Sequence, residues 1–224
     1  MVEQRVGAMA EDYVTVIWKA QEWSPAAITT NEIAATLAVT PSTVSGNLKR
    51  LARDGLIDYE PYGRIALTAA GRRIALRVVR RHRLLETYLV EKLAMGWDEV
   101  HEEADVLEHA ISERVLARID EALGHPSVDP HGDPIPDAEG RVTRPPAVLL
   151  RHSPTGHDAQ VVRIADKEPD VLRYLDEHGV RVGTPVQVTG RRESVGLVTV
   201  RLGADEQSAL SLTDAVADAV WVSR

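Results

Sequence analysis

Thr40-Pro41-Ser42-Thr43-Val44-Ser45-Gly46-Asn47-Leu48-Lys49-Arg50-Leu51-Ala52-Arg53-Asp54-Gly55 is a helix with both of its ends written in. Thr40 can cap the first turn, Pro41 suits a first helical position that needs no amide hydrogen, and Gly55 supplies a left-handed stop. Upstream, Thr29 and Thr30 are cap candidates for a shorter helix over 31–37, whose Ile33 and Leu37 share a face. Ala38, Val39 and Thr40 form the turn between the two. Two short helices joined this way make a helix-turn-helix unit, whose second helix enters the major groove of DNA. Thr40, Pro41, Ser42, Thr43, Ser45 and Asn47 are then candidates for the groove, and Lys49, Arg50 and Arg53 for phosphate contacts. Downstream, Leu56 to Glu60 and Arg64 to Leu67 flank Pro61-Tyr62-Gly63, which predicts a two-stranded wing.

The 224 residues carry a net charge of −8, which as one number argues against a nucleic-acid partner. The charge is segregated, however. Residues 41–83 hold ten Lys or Arg against three acids, whereas 86–121 hold eleven acids against three Lys or Arg. The first stretch suits an anion and the second a cation. The N-terminal Met1-Val2-Glu3-Gln4-Arg5 lacks a secretory head and no apolar run is long enough for a bilayer, so a cytoplasmic protein without membrane contact is expected. Cysteine is absent. Disulfides, thiolate zinc sites, iron–sulfur clusters and cysteine nucleophiles are therefore excluded.

Helical periodicity runs through the first 123 residues. Six of the twelve prolines (Pro126, Pro130, Pro134, Pro136, Pro145, Pro146) then fall in a stretch without apolar periodicity, which reads as an extended linker. Beyond it, β-rich runs at 161–164, 186–188, 196–202 and 221–222 surround one helical pattern at 169–177. The fold class is mainly α with a small β domain. Domain limits are expected at 1–74, 75–144 and 145–224.

Asp105, Glu108 and His109 lie at spacings that place all three on one stripe of a predicted helix, and His101 precedes Asp105 by one turn. His82 and Glu86 repeat the i, i+4 spacing on another helix, and Asp12 follows Glu11 on the first. One His–Glu pair of this kind is more often a surface ion pair; three clusters within one acidic helical region point to a metal. His125, His131, His152, His157 and His178 fall in the linker or tail and are read as solvated. No nucleophile motif or phosphate-binding loop accompanies the clusters.

Asp12-Tyr13, Thr40-Pro41-Ser42-Thr43-Val44-Ser45, Arg80-Arg81-His82-Arg83-Leu84-Leu85-Glu86, Asp98-Glu99-Val100-His101-Glu102-Glu103-Ala104, Leu107-Glu108-His109 and Asp129-Pro130-His131-Gly132-Asp133-Pro134-Ile135-Pro136 occur in this order. Together they resemble the diphtheria toxin repressor family in its manganese-responsive branch, MntR, of actinobacteria. The resemblance spans essentially the whole chain. It implies a winged helix-turn-helix domain, a helical dimerisation domain with two metal sites per subunit and a C-terminal SH3-like (FeoA-like) β-barrel. The primary site it implies comprises Asp12, Asp105, Glu108 and His109; the ancillary site comprises His82, Glu86 and His101, joined by a carboxylate from the SH3-like domain. Asp166 is the nearest match for that carboxylate, with Glu168 and Asp170 as alternatives.

The iron-sensing branch has Met and Cys where this sequence has Asp12 and Asp105. Hard oxygen in place of soft sulfur suits Mn²⁺, with Fe²⁺ as its competitor. A manganese-sensing relative carries a Glu one turn after the first-helix Asp; Thr15 stands there in this chain, favouring two separated sites over a closely spaced pair. The resemblance thus implies a homodimer that binds operator DNA when loaded with Mn²⁺, one dimer or two to an operator, and that controls manganese homeostasis genes. Rival readings are an Fe²⁺-responsive repressor, a dinuclear metalloenzyme, and a regulator that senses a small organic ligand in its β-rich tail.

Overall fold

The computed structural model describes residues 7–23, 26–60, 63–203 and 209–224; the N-terminal pentapeptide and the wing-tip Pro61 and Tyr62 lie outside them. Two compact units divide the chain. The first holds 1–82 and 136–141, the second 83–135 and 142–224.

The first unit opens with α1 (Ala8–Glu22), which buries Tyr13, Val14, Ile17 and Trp18 along one face. In α2 (Thr30–Thr36) Thr29 is the cap: its hydroxyl accepts from the Glu32 amide at 3.2 Å while Glu32 accepts from the Thr29 amide at 2.7 Å. These reciprocal bonds satisfy two amides that the first turn would leave unpaired. The helix α3 (Pro41–Arg53) starts under Thr40, whose Oγ1 accepts from the Thr43 amide, and buries Val44, Leu48 and Leu51. Gly55 follows with φ +73°, as a left-handed stop requires. Strands β1 (Ile57–Tyr59) and β2 (Ile65–Leu67) pair antiparallel, Ile57 opposite Leu67, to give the expected wing. The 25-residue helix α4 (Ala69–Leu93) begins so close to it that a Cβ on Gly71 would lie 2.0 Å from the Leu56 carbonyl oxygen.

In the second unit the end of α4 packs with α5 (Val100–Glu108) and α6 (Glu113–Leu123) around Leu84, Leu85, Ala104, Leu116 and Ile119. Ser112 caps α6, and Gly124 closes it in the left-handed region. The C-terminal part is a six-stranded sheet in the order β3 (Ala147–Leu149), β8 (Val220–Ser223), β4 (Asp158–Ile164), β5 (Pro185–Arg192), β6 (Leu197–Leu202), β7 (Ala209–Thr213). Helix α7 (Pro169–Glu177) spans the predicted 169–177, and the four-residue α8 (Asp214–Ala217) leads into β8. Leu172 and Leu175 of α7 join Val161, Ile164, Val186, Val188, Val198, Val200 and Leu212 in one core.

Strands β3 and β7 escaped the sequence reading. The larger correction concerns the supposed linker. Between α6 and β3, residues 131–136 are buried, and Ile135 enters the helical core. Polar contacts hold this segment, which is why apolar periodicity could not disclose it. Asp129 Oδ1 accepts the backbone amides of His131 and Asp133, both at 2.9 Å, and Asp133 O accepts from the Asp129 amide. This side-chain-to-backbone pairing is the ordinary role of Asp in a turn. Gly132 takes φ +87°, and a Cβ there would come within 2.1 Å of the Val162 carbonyl oxygen of β4. His131, read as solvated, has no exposed surface, whereas His125, His152, His157 and His178 are exposed as expected.

Candidate metal centres and nucleic-acid interface

On α3, Pro41, Ser42 and Thr43 are exposed, as are Lys49, Arg50 and Arg53 about two and three turns later. The Thr40 hydroxyl lies 2.8 Å from that of Ser42 and 2.9 Å from that of Thr43, so the first turn presents a connected row of short polar groups. Ser45 is half-buried and donates to the Pro41 carbonyl at 3.0 Å. Asn47 is also half-buried: its amide donates to the Tyr13 hydroxyl of α1 at 3.0 Å. Asn47 therefore ties the second helix of the motif to the first helix of the chain. Asp54 pairs with Arg50 at 3.8 Å and Arg53 at 3.3 Å. Such exposed pairs contribute little and leave the guanidinium groups available to phosphate.

In the second unit the structure brings three of the predicted ligands together. Glu86 comes from α4, His101 from α5 and Asp166 from the turn after β4. The His101 Nδ1 lies 3.2 Å from Glu86 Oε1 and 3.2 Å from Asp166 Oδ2. Of the candidate carboxylates after β4, Asp166 is thus the one beside His101. Asp170 pairs instead with Arg173 of its own helix, and Glu168 is exposed at the start of α7. His82 sits one turn before Glu86 on α4 and is buried.

Glu108 and His109 stand with Glu108 Oε1 3.3 Å from His109 Nε2. Glu108 ends α5 and is buried, while His109 is the residue after the helix, at φ −84° and ψ −21°. Asp105 is exposed on α5, its Oδ2 3.8 Å from His101 Nε2. Asp12 is half-buried on α1 of the first unit.

Behind Glu86 lies a second cluster that sequence reasoning passed over. The His131 Nδ1 is 3.8 Å from Glu86 Oε2, an ion-pair distance beyond hydrogen-bond length, and its Nε2 is 2.8 Å from the Trp97 carbonyl oxygen. Burial would lower this imidazole's pKa, but Glu86, with Asp129 and Asp166, raises it to about 9. Burial, Asp133 and Glu86 push the Asp129 carboxyl up to about 8 against the opposing Arg83 and His131. Arg83 reaches Asp129 at 3.6 Å and Asp133 at 3.5 Å, and it donates to the Pro134 carbonyl at 2.6 Å. Arg163 of β4 donates to Asp133 at 2.6 Å and lies over the Trp221 ring. The repeated Asp-Pro around His131-Gly132 was the available signal, since it combines turn-forming acids with residues that resist regular structure.

The donors gathered at Glu86, His101 and Asp166 are oxygen and imidazole nitrogen only. This set fits Mn²⁺ or Fe²⁺, and a buried carboxylate such as Glu86 needs a cation nearby.

Three family models match the chain end to end: "Iron dependent repressor, N-terminal DNA binding domain" over 6–65, "Iron dependent repressor, metal binding and dimerisation domain" over 68–137, and "FeoA domain" over 148–224. The diphtheria toxin repressor of Corynebacterium efficiens is 31% identical over 173 residues, 73% of this chain and 75% of that one. The chain belongs to the diphtheria toxin repressor family. Its members are transcriptional repressors and not enzymes, so the metalloenzyme reading falls. The iron-dependent repressor IdeR of Mycobacterium tuberculosis H37Rv is 34% identical over 161 residues, 70% of this chain and 66% of that relative, just under two thirds of its length. Among solved structures, a manganese-dependent transcriptional repressor in complex with manganese is 46% identical, with a TM-score of 0.92 over 96% of this chain and 99% of that one. The winged helix-turn-helix, helical and SH3-like parts of this chain are those of its family. Among the described residues no helix is long and apolar enough to cross a membrane.

Proposed function

We propose that this protein is a cytoplasmic homodimeric repressor that binds double-stranded operator DNA when loaded with Mn²⁺, two ions per subunit, and so governs manganese homeostasis genes. Residues 1–74 read DNA, 75–144 bind metal and dimerise, and 145–224 form the SH3-like domain. The observation that carries the metal reading is the meeting of Glu86, His101 and Asp166, from three separate elements, around one point. With His82, one turn before Glu86 on the same helix, they form the ancillary site. Asp12, Asp105, Glu108 and His109 form the primary site, an assignment that rests on the family resemblance and on their hard donor chemistry.

Manganese is favoured over iron because neither set contains sulfur and because the structural relative at 46% identity is a manganese-dependent repressor. The Fe²⁺ reading draws on the iron-dependent repressors among the sequence relatives. Operator affinity titrated with Mn²⁺, Fe²⁺, Zn²⁺ and Co²⁺ separates the two. Thr40, Pro41, Ser42, Thr43, Ser45 and Asn47 form or support the base-reading end of α3, and Arg50 holds phosphate. In the dimer two copies of α3 match major grooves about 34–36 Å apart, one helical turn of DNA.

Metal acts by linkage: it raises operator affinity only as far as it binds the DNA-competent arrangement better than the free one. Asp12 belongs to the DNA-reading part and Glu108 to the helical part, so an ion that takes both as ligands biases that arrangement. Asp12→Ala and Glu108→Ala should each abolish the Mn²⁺-dependent gain in operator binding, measured by fluorescence anisotropy. An undiminished gain in both variants would overturn the primary site.

A further inference from the structure

His131 is placed where every ligand-bearing segment of the ancillary cluster passes. Its backbone carbonyl accepts the Ile164 amide at 2.8 Å, at the end of β4 and two residues before Asp166. Its Nε2 donates to the Trp97 carbonyl at 2.8 Å, in the turn that leads into α5 and His101, and the two rings stack 5.6 Å apart. Its Nδ1 faces the oxygen of Glu86 that points away from His101. A carbonyl oxygen has no hydrogen to give, so Nε2 must carry one, and the ring orientation is thereby set. Asp129 fixes the backbone on either side through its two amide bonds, and Gly132 lets that backbone lie directly on β4. Complete burial leaves the ring no water with which to exchange these partners.

From this convergence we infer that His131 is a positioning residue for the ancillary metal: it touches no ion itself, but holds Glu86, His101 and Asp166 in register through one side chain and its own carbonyl. Residues that orient metal ligands from behind are commonly worth about ten- to a hundredfold in affinity. The inference rests on the ancillary-site reading above, and the test separates the two.

The full-length protein, as wild type, His131→Phe, His131→Asn and His101→Ala, is titrated with Co²⁺ by visible absorption and with Mn²⁺ by the electron paramagnetic resonance signal of the free ion. His101→Ala identifies the ancillary binding phase. If it leaves both phases intact, the site is misassigned and the inference falls with it. His131→Phe keeps the aromatic stack on Trp97 and removes both ring nitrogens. The expected result is a loss of about ten- to a hundredfold in the ancillary phase alone, with an altered Co²⁺ spectrum. His131→Asn keeps a polar side chain beside Glu86 and should lose less; it also decides the matter if the Phe variant does not fold. Wild-type affinity and spectrum in the folded variants would overturn the inference while leaving the site standing. So would weakening of both phases in step with a lower melting temperature of the metal-free protein, since that marks a merely structural role.

Discussion

A methyl group on Gly132 would meet the Val162 carbonyl at 2.1 Å, on a backbone already at φ +87°. Neither the backbone angle nor the neighbour can yield cheaply, because both belong to hydrogen-bonded structure. Gly132→Ala should cost roughly 1–3 kcal/mol from backbone strain, with the displaced strand adding to it. Urea denaturation of the metal-free protein measures this, and a midpoint unchanged from wild type would contradict it. The neighbouring His131 shows why parts of the site were hidden from sequence. Asp12, His82, Glu86, His101, Asp105, Glu108 and His109 stand out because helical spacing and donor type are local properties. The importance of His131 comes from Trp97, Ile164 and Glu86, none nearer than 33 residues in the chain except in space. A proline-rich stretch with little apolar character reads as solvated until its charges are seen to be buried against Arg83 and Arg163.

Helix α3 was readable almost to the residue, since a Thr cap, a first-turn Pro and a terminal Gly act within one or two turns. The end of α5 was not: Asp105, Glu108 and His109 suggested a continuous stripe, but the helix stops at Glu108. Strands β3 and β7, of three and five residues, gain their partners from β8 and β6 and had too little internal pattern to declare themselves. Helices α5 and α6 retain an apolar surface that the second unit leaves uncovered. Val106 is 73% exposed, Val115 51%, and Leu107 joins them. The family model covering these helices is one for dimerisation, and an apolar patch of this kind is what a second copy would cover. Replacing Val106 and Val115 together by Glu should yield a monomer in analytical ultracentrifugation, with metal-dependent operator binding lost. A dimer of unchanged affinity would exclude this face.

Over the whole molecule, net charge alone misled, because a total of −8 conceals a basic stretch that carries α3 and an acidic stretch that carries α5. The absence of cysteine was more informative than any charge count, since it removes the thiolate ligand, and the proposed ligand sets offer only oxygen and imidazole. One further connection joins the two tasks of the protein. Tyr13 follows Asp12 in sequence, is itself buried, and accepts a hydrogen bond from the half-buried Asn47 of α3. The carboxylate proposed to sense metal and the helix proposed to read DNA are therefore one peptide bond and one hydrogen bond apart. Coupling between two ligands is reciprocal, so operator DNA must tighten metal binding by the same factor by which metal tightens operator binding. Tyr13→Phe should reduce both factors equally while leaving metal affinity without DNA as it was. Calorimetric titration of Mn²⁺ with and without operator reads the first factor, and anisotropy with and without Mn²⁺ reads the second. If both stay at their wild-type values, the bond is incidental; if both fall together, a single phenolic hydroxyl is the conduit by which the metal's presence becomes known to the DNA.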